Sequence, residues 1–343
     1  MKRLLNTLYV TLQDSYLALE GETVLVRVEG ETRLRVPLLT LGAFVCFGRV
    51  SCSPALMGAC ADRGIAISFL DQHGRFQARV TGPISGNVLL RRAQYRDADD
   101  PQRRLEIARC IVLGKIANCR TVVLRAARDH GDKGGEFPLR QAACRLDRCL
   151  DEARSTSDLD VLRGIEGNAG RVYFEVFDQA ITAQKEAFYM RERTRRPPLD
   201  NMNSLLSFLY TILAHDVSSA LEGVGLDPQV GFLHCERPGR PALALDIMEE
   251  FRPFLVDRLA LSLVNLRQVQ ASGFTTAESG GVVMNDETRK TVLVAYQKRK
   301  QEELWHPFLE ESFHIGLFVH AQAQLLARHI RRELDAYPPF ISR

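Results

Sequence analysis

The chain has 343 residues, of which 45% are hydrophobic and 25% are charged, the usual mixture for a globular protein of about two domains. This composition excludes wholesale disorder, a collagen-like chain and a disulfide-dominated mini-protein. The formal net charge is only +3, so a nucleic-acid site must be a local basic patch rather than the whole surface.

Residues 1–90 predict a small β-rich domain. Short β-prone runs separated by polar turns occupy residues 8–12, 16–20, 23–29 and 32–37, as expected for strands. Residues 54–63 then predict one short helix that ends at Gly64. Two further strands are predicted at residues 65–70 and 76–80.

A larger helical domain is predicted after this β-rich part. The segment 91–104, RRAQYRDADDPQRR, is almost wholly polar and is interpreted as a linker or the start of a helix. Beyond it the apolar spacing becomes helical, most clearly over residues 203–222. The predicted fold class is therefore α+β with two domains, a β domain over 1–90 and an all-α domain over 105–343.

The cysteines and apolar runs bear on the compartment. None of the eight cysteines forms a CxxC pair, which argues against a zinc ribbon. The start, MKRLLNTLYV, runs into polar residues too soon for a signal peptide, and the longest apolar stretch, residues 205–214, is about half a membrane span. We expect a soluble cytoplasmic protein with reduced cysteines and no membrane association.

One acidic segment, residues 229–253, could carry chemistry. His234 precedes a helix that is predicted to begin near Pro241. Along that helix Asp246, Glu249 and Glu250 stand at i, i+3 and i+4, so at least two carboxylates share one face. Imidazole and carboxylate ligands suit Mn²⁺ or Mg²⁺. The alternative is a solvated acidic helix face, which is common.

A second candidate is Glu166, in RGIEGNAGRVYFEVF at 163–177. Glycines on both sides would let a ligand or a backbone approach closely. The alternative is an ordinary glutamate near a helix start, where the macrodipole favours negative charge. Basic stretches at 91–96, at 191–198 and at the ends of 286–303 could contact phosphates, although such charge runs are usually solvated.

The acidic segments together resemble a known family. The pairing of GIEGNAGRVYF (164–174) with GFLHCERPGRPALALDIMEEFRP (231–253) is similar to the Cas1 family of CRISPR-associated integrases and endonucleases, which acquire spacers in prokaryotic adaptive immunity. NTLYVT at 6–11 resembles the first strand of that family, and 273–303 is similar to its type I-C branch. The resemblance extends over essentially the whole chain.

The resemblance implies a specific active site. Glu166, His234 and Glu249 match the ligands of one Mg²⁺ or Mn²⁺ ion, and Asp246 matches an acidic position that supports or shares the site. Glu250 is expected to be structural or to support those ligands. The expected DNA contacts are arginines in two of the basic stretches: Arg91, Arg92, Arg191, Arg193, Arg195 and Arg196.

The resemblance also implies a reaction and an assembly. The reaction is insertion of new spacers into a CRISPR array, by attack of a 3′-hydroxyl on a phosphodiester at the repeat boundary. The implied partners are prespacer and repeat DNA, a second copy of the chain through the β domains, and the small protein Cas2. Two alternatives stay open: a general metal-dependent nuclease of branched DNA in repair, and a catalytically silent DNA-binding scaffold.

Overall fold

The computed structural model describes residues 6–71, 76–80, 82, 88–129 and 136–342. Within these residues, the N-terminal part contains two four-stranded sheets, with orders β1-β5-β7-β8 and β4-β3-β2-β6, and helix α1, Pro54–Asp62. The strands are β1 Asn6–Val10, β2 Ser15–Glu20, β3 Thr23–Val28, β4 Glu31–Pro37, β5 Leu41–Phe47, β6 Val50–Cys52, β7 Ala66–Leu70 and β8 Phe76–Val80. The predicted small β domain is confirmed.

Strand β5 is an element that the sequence analysis did not predict. Its sequence, LGAFVCF, is apolar along most of its length and lacks the alternation of a half-buried strand. The structure explains this, because β5 lies inside its sheet with parallel neighbours β1 and β7 on both edges. A central parallel strand is buried on both faces and shows an almost continuous apolar run.

The C-terminal part is mainly helical, as predicted. Its helices are α2 Val88–Asp99, α3 Pro101–Asp129, α4 Glu136–Ser155, α5 Leu159–Phe177, α6 Asn201–Val224, α7 Ala242–Phe251, α8 Arg258–Asn265, α9 Asp286–Gln301 and α10 Phe318–Ile330. The polar segment predicted as linker or helix start is helical up to Asp99. Asp100 ends it there, since its Oδ1 accepts from the backbone N–H groups of Gln102 and Arg103 and caps α3.

Two hairpins in the described C-terminal part were not predicted by helical periodicity. Strands β9, Phe274–Thr276, and β10, Val282–Met284, form one antiparallel pair. Strands β11, Glu303–His306, and β12, Glu311–His314, form the other. Strands of three or four residues are too short for an alternating pattern to stand out in the sequence.

Most of the β-rich part packs in a hydrophobic cluster of its own, and Val45, Phe47 and Leu70 join the core of the helical part. Phe47 of β5 packs against Phe208 of α6, with ring centroids 5.8 Å apart. At the edge of this contact Arg79 of β8 donates to Glu222 at 2.8 Å and to Ser219 at 2.9 Å. Among the described helices α6 is long and apolar enough to cross a membrane. Its buried packing is also that of the core helix of a soluble protein.

His215 on α6 gives this contact a pH dependence. Burial, and to a smaller extent the charge of Arg79, lower the pKa of His215 from 6.5 to about 4. The charge of Asp216 acts in the opposite direction. Between about pH 6.5 and pH 4 the His215 ring is therefore protonated in the unfolded chain but stays neutral in the folded protein. Stability from this group is complete above pH 6.5 and is lost as the pH falls toward 4.

We predict that wild-type protein loses up to about 2 kcal/mol of unfolding free energy between about pH 7.5 and pH 5 through His215. His215→Gln should lose correspondingly less, because it removes the titrating ring. Urea unfolding at both pH values measures the difference, with His314→Gln on β12 as the control. Equal losses in wild type and His215→Gln would contradict the prediction.

Candidate active site

A cavity of about 370 Å³ opens in the helical part. Its wall brings together Glu166 of α5, His234 of the loop before α7, and Glu249 of α7. Side-chain exposure is 24% for Glu166, 20% for His234 and 2% for Glu249. The predicted ligand positions therefore meet at one place, with two of them open to the cavity and the third buried beneath.

Asp246 lies behind the cavity and fixes the histidine loop. Its side chain is fully buried, and Oδ2 accepts from the backbone N–H groups of Phe232 at 2.6 Å and Leu233 at 3.0 Å. Oδ1 accepts from the backbone N–H of His234 at 2.9 Å and pairs with its Nδ1 at 2.7 Å. Because a carboxylate accepts, Nδ1 carries a proton in this contact, and Nε2 is the ring nitrogen left to bind a ligand in the cavity.

Two arginines hold the same loop from its carbonyl side. Arg104 Nε donates to the carbonyl of Phe232 at 2.9 Å, and Arg163 Nε donates to that of Leu233 at 2.7 Å. Gly231 is required just before them, because a Cβ there would lie 2.8 Å from Asp246 Oδ2 and from the Ala242 carbonyl carbon. The loop is therefore held on both sides by charged side chains.

Glu249 is surrounded by positive charge. Arg252, one turn further along the chain, donates to Glu249 Oε1, and His234 Nε2 lies 3.8 Å from the same oxygen. Burial alone would raise the pKa of Glu249, but Arg252, Lys115 and His234 lower it to about 2. This side chain is a carboxylate over the whole physiological pH range.

Lys115 of α3 lies between the two candidate ligand carboxylates. Its Nζ donates to Glu166 Oε1 and lies 2.8 Å from Glu249 Oε2. Glu249 Oε2 has no hydrogen bond of good geometry in the described residues, so the contact with Lys115 is an ion pair rather than an aligned hydrogen bond. Burial alone would lower the pKa of Lys115, but Glu249 and Glu166 raise it.

The carboxylate oxygens and the imidazole nitrogen of this site are donor atoms that suit a divalent cation. One ammonium contacts both carboxylates, so their oxygens converge on one cation-sized point, and an imidazole nitrogen faces the same cavity. Oxygen and imidazole donors are those that Mg²⁺ and Mn²⁺ accept. No three such donors in the described ranges already surround one point, and the point between the two carboxylates is occupied by the Lys115 ammonium.

A further carboxylate, Asp257, lies in the cavity wall on a π-helical turn that follows α7. Tyr210 and Tyr173 donate to it at 2.6 and 3.0 Å. Burial raises the pKa of Asp257 to about 6, against the lowering effect of both tyrosines. The Tyr210 ring lies between the guanidinium groups of Arg193 and Arg252, at 5.2 and 5.0 Å. Asp257 thus fixes the ring against which both arginines pack.

Glu250 points away from the cavity. It is fully buried and accepts from the Tyr337 hydroxyl and the Phe340 backbone N–H, both at 2.7 Å, and from Gln322 at 3.0 Å. Burial raises the pKa of Glu250 to about 8, although those hydrogen bonds lower it. The supporting or structural role expected for Glu250 is consistent with this placement.

The predicted basic residues divide into two groups. Arg191, Arg193 and Arg195 line the cavity, and Arg196 is exposed beside them. Arg193 is committed to intramolecular contacts, since it donates to Asn203 and Ser207. Arg91 and Arg92 lie on α2 and are not among the residues that line the cavity.

The sequence analysis missed several residues of the site. Arg252 had a usable signal, because it follows Glu249 at i+3, the spacing already used for Asp246. Lys115 had no local signal, since it lies in an ordinary amphipathic helix and reaches the site only through packing. Arg104 and Arg163 contact backbone carbonyls, which sequence patterns do not show.

Comparisons with known proteins show the family and the fold of the chain. Residues 8–298 match the family described as CRISPR associated protein Cas1. The protein named CRISPR-associated endonuclease Cas1 1 of Chlorobaculum tepidum is 52% identical over 343 residues and covers 100% of both chains. A Cas1 protein from Thermotoga maritima has a TM-score of 0.82 at 25% identity, over 95% of this chain and 97% of that chain. A chain solved in a Cas6-RT-Cas1–Cas2 complex shares the fold, with a TM-score of 0.84 at 23% identity over 100% of this chain and 37% of that chain.

We predict that Asp246→Asn destabilises the protein by about 2–4 kcal/mol, because an NH₂ group then faces backbone N–H donors in a buried site. Denaturant unfolding measures the loss, and hydrogen exchange should show faster opening of residues 232–234. The control is Glu236→Gln, an exposed carboxylate just beyond His234. An equal, small effect of both substitutions would contradict the anchoring role.

Proposed function

The chain belongs to the Cas1 family of CRISPR-associated proteins, and from this premise we propose that it is a metal-dependent DNA integrase and endonuclease. The proposed reaction is insertion of new spacers into a CRISPR array, by attack of a 3′-hydroxyl on a phosphodiester at the repeat boundary. The observation that carries the proposal is that Glu166 and Glu249 meet at one cation-sized point, with His234 beside Glu249 in the same cavity.

Each residue has a proposed role in that reaction. Glu166, His234 and Glu249 would hold Mg²⁺ or Mn²⁺, and Asp246 would keep His234 in the ligating orientation through its Nδ1 hydrogen bond. The chemistry that such an ion would supply there is polarisation of the scissile phosphate and help in ionising the attacking hydroxyl. The same site gives strand transfer when the hydroxyl belongs to a DNA 3′ end, and hydrolysis when it belongs to water.

The charge of the cavity supports a phosphodiester substrate. Glu166 and Glu249 are formally balanced by Lys115 and Arg252, so a divalent ion would bring the group to a formal +2. Arg171, Arg191 and Arg195 add positive charge to a wall that also carries Glu175 and Glu192, so most of the positive charge that a phosphodiester would meet comes from the bound ion. A phosphodiester and an ionising hydroxyl are the charges that such a site would attract.

The proposed assembly follows the family. We propose that the chain acts in the cytoplasm as a homodimer that joins Cas2 and binds prespacer and repeat DNA. Its support is the fold shared with the chain of the Cas6-RT-Cas1–Cas2 complex over the full length of this protein. Assignment to the type I-C branch stays a prediction.

Strand transfer tests the proposed reaction. Purified protein, with and without Cas2, is mixed with labelled 3′-hydroxyl duplex and a repeat-containing plasmid in Mn²⁺, Mg²⁺ or EDTA. We expect joined product with Mn²⁺ or Mg²⁺ and none in EDTA. His234→Ala should reduce joining at least about 100-fold, because a ligand is lost, while Glu236→Gln should join normally.

The other outcomes distinguish the two alternatives. Cleavage without joining, even with Cas2 present, would favour a general nuclease of branched DNA. DNA binding with neither joining nor cleavage in any metal would favour a silent scaffold. Joining that persists in EDTA, or in His234→Ala, would overturn the proposed metal site.

The exposed arginines beside the cavity give a separate prediction about DNA binding. Arg191→Ala with Arg195→Ala should weaken DNA affinity and reduce the slope of log K against log salt by about 1 to 2, because each lost phosphate contact releases one counterion fewer. The matched control is Arg33→Ala with Arg35→Ala, two exposed arginines on β4. An unchanged salt slope would remove the 191–195 segment from the DNA path.

A further inference from the structure

Lys115 occupies the point at which the two ligand carboxylates meet. Its Nζ contacts both Glu166 Oε1 and Glu249 Oε2, and its side chain, 12% exposed, lines the cavity. An ammonium group and a divalent ion cannot share the same carboxylate oxygens, because both need them at contact distance and the two cations repel each other. The Lys115 contacts and the proposed metal site therefore exclude each other.

The second cation of the site is held differently. Arg252 donates to Glu249 Oε1, and its guanidinium also lies 5.0 Å from the centre of the Tyr210 ring. That ring is fixed in turn by Asp257. Lys115 Nζ has neither a ring partner nor a backbone acceptor in the described residues. Its flexible four-carbon stem can swing the ammonium within the cavity, whereas the planar Arg252 fork is held in place.

We propose that Lys115 is an exchangeable counter-ion of the active site, and that its displaced ammonium contacts the phosphodiester. The inference rests on the proposed function. When Glu166 and Glu249 bind a divalent ion, Lys115 gives up their oxygens but stays in the cavity wall. It thereby becomes an unpaired cation beside the place where the DNA phosphate reacts, so Lys115 is both a competitor for metal and a catalytic residue.

Removing the ammonium should therefore have opposite effects on metal binding and on catalysis. Lys115→Met should bind Mn²⁺ alone about tenfold more tightly than wild type, since a competing cation is gone. At saturating Mn²⁺ it should join DNA at least about tenfold more slowly, since a phosphate contact is lost. A residue with only a structural role would weaken both properties together.

Isothermal titration with Mn²⁺ in the absence of DNA, and strand transfer at saturating Mn²⁺, measure the two effects. The matched control is Lys300→Met, which breaks another well-buried lysine ion pair, the 2.7 Å contact with Asp216. It should lower stability without changing Mn²⁺ affinity. If Lys115→Met does not fold, a crystal structure of wild type with Mn²⁺ decides, because Lys115 Nζ must then be displaced from Glu166 and Glu249.

The results separate this inference from the proposed function. Wild type that binds no Mn²⁺ and joins no DNA would overturn both. Normal binding and joining by wild type, with no tighter binding by Lys115→Met, would overturn the exchange alone. Mn²⁺ bound while Lys115 still contacts both carboxylates would do the same. Tighter binding with an unchanged joining rate would overturn the phosphate contact.

Discussion

The buried carboxylate of Asp246 is the interaction on which the site depends. It accepts from three consecutive backbone N–H groups and from the ring of His234, so a segment without regular structure acquires one conformation. Arg104 and Arg163 hold the carbonyls of the same segment. Since loops rarely position side chains as firmly as helices do, these charged contacts give the His234 loop the precision that α5 and α7 provide for Glu166 and Glu249.

Positive and negative side chains are nearly balanced in the rest of the site. The cavity is lined by opposite charges in nearly equal number. Their mutual attraction offsets the cost of burying them when no ligand is bound. Around this balanced centre the wall carries Arg171, Arg191 and Arg195 together with Glu175 and Glu192. A small net charge for the whole chain is therefore mirrored in the cavity, where lysine and arginine side chains nearly match the carboxylates in number.

Much of this organisation could be predicted from the sequence, and the reasons differ between elements. All six strands predicted from β-prone runs lie within two residues of their positions at both ends, because β-prone runs bounded by polar turn residues mark edge and interior strands alike. The run at 8–12 lies two residues further along than β1. The central strand β5 does not alternate and was missed. Glu166, His234, Asp246 and Glu249 were proposed from motifs, and the structure brings them close together. Lys115 was not proposed, since a lysine inside a long helix carries no motif and is usually solvated.

The hydrogen bonds that surround Glu250 have a consequence for how the protein folds during synthesis. Glu250 follows Glu249 directly, yet its hydrogen-bond partners include Tyr337 and Phe340, nearly ninety positions later in the chain. Asn118 adds further bonds to this late segment, donating to the Phe340 carbonyl and accepting from the Ser342 backbone N–H. During synthesis these hydrogen bonds to Glu250 cannot form until the later residues have left the ribosome, so the helix that carries Glu249 lacks them until then. We expect the nascent chain to be unable to cut DNA until residues 337–342 have bound Glu250 and Asn118.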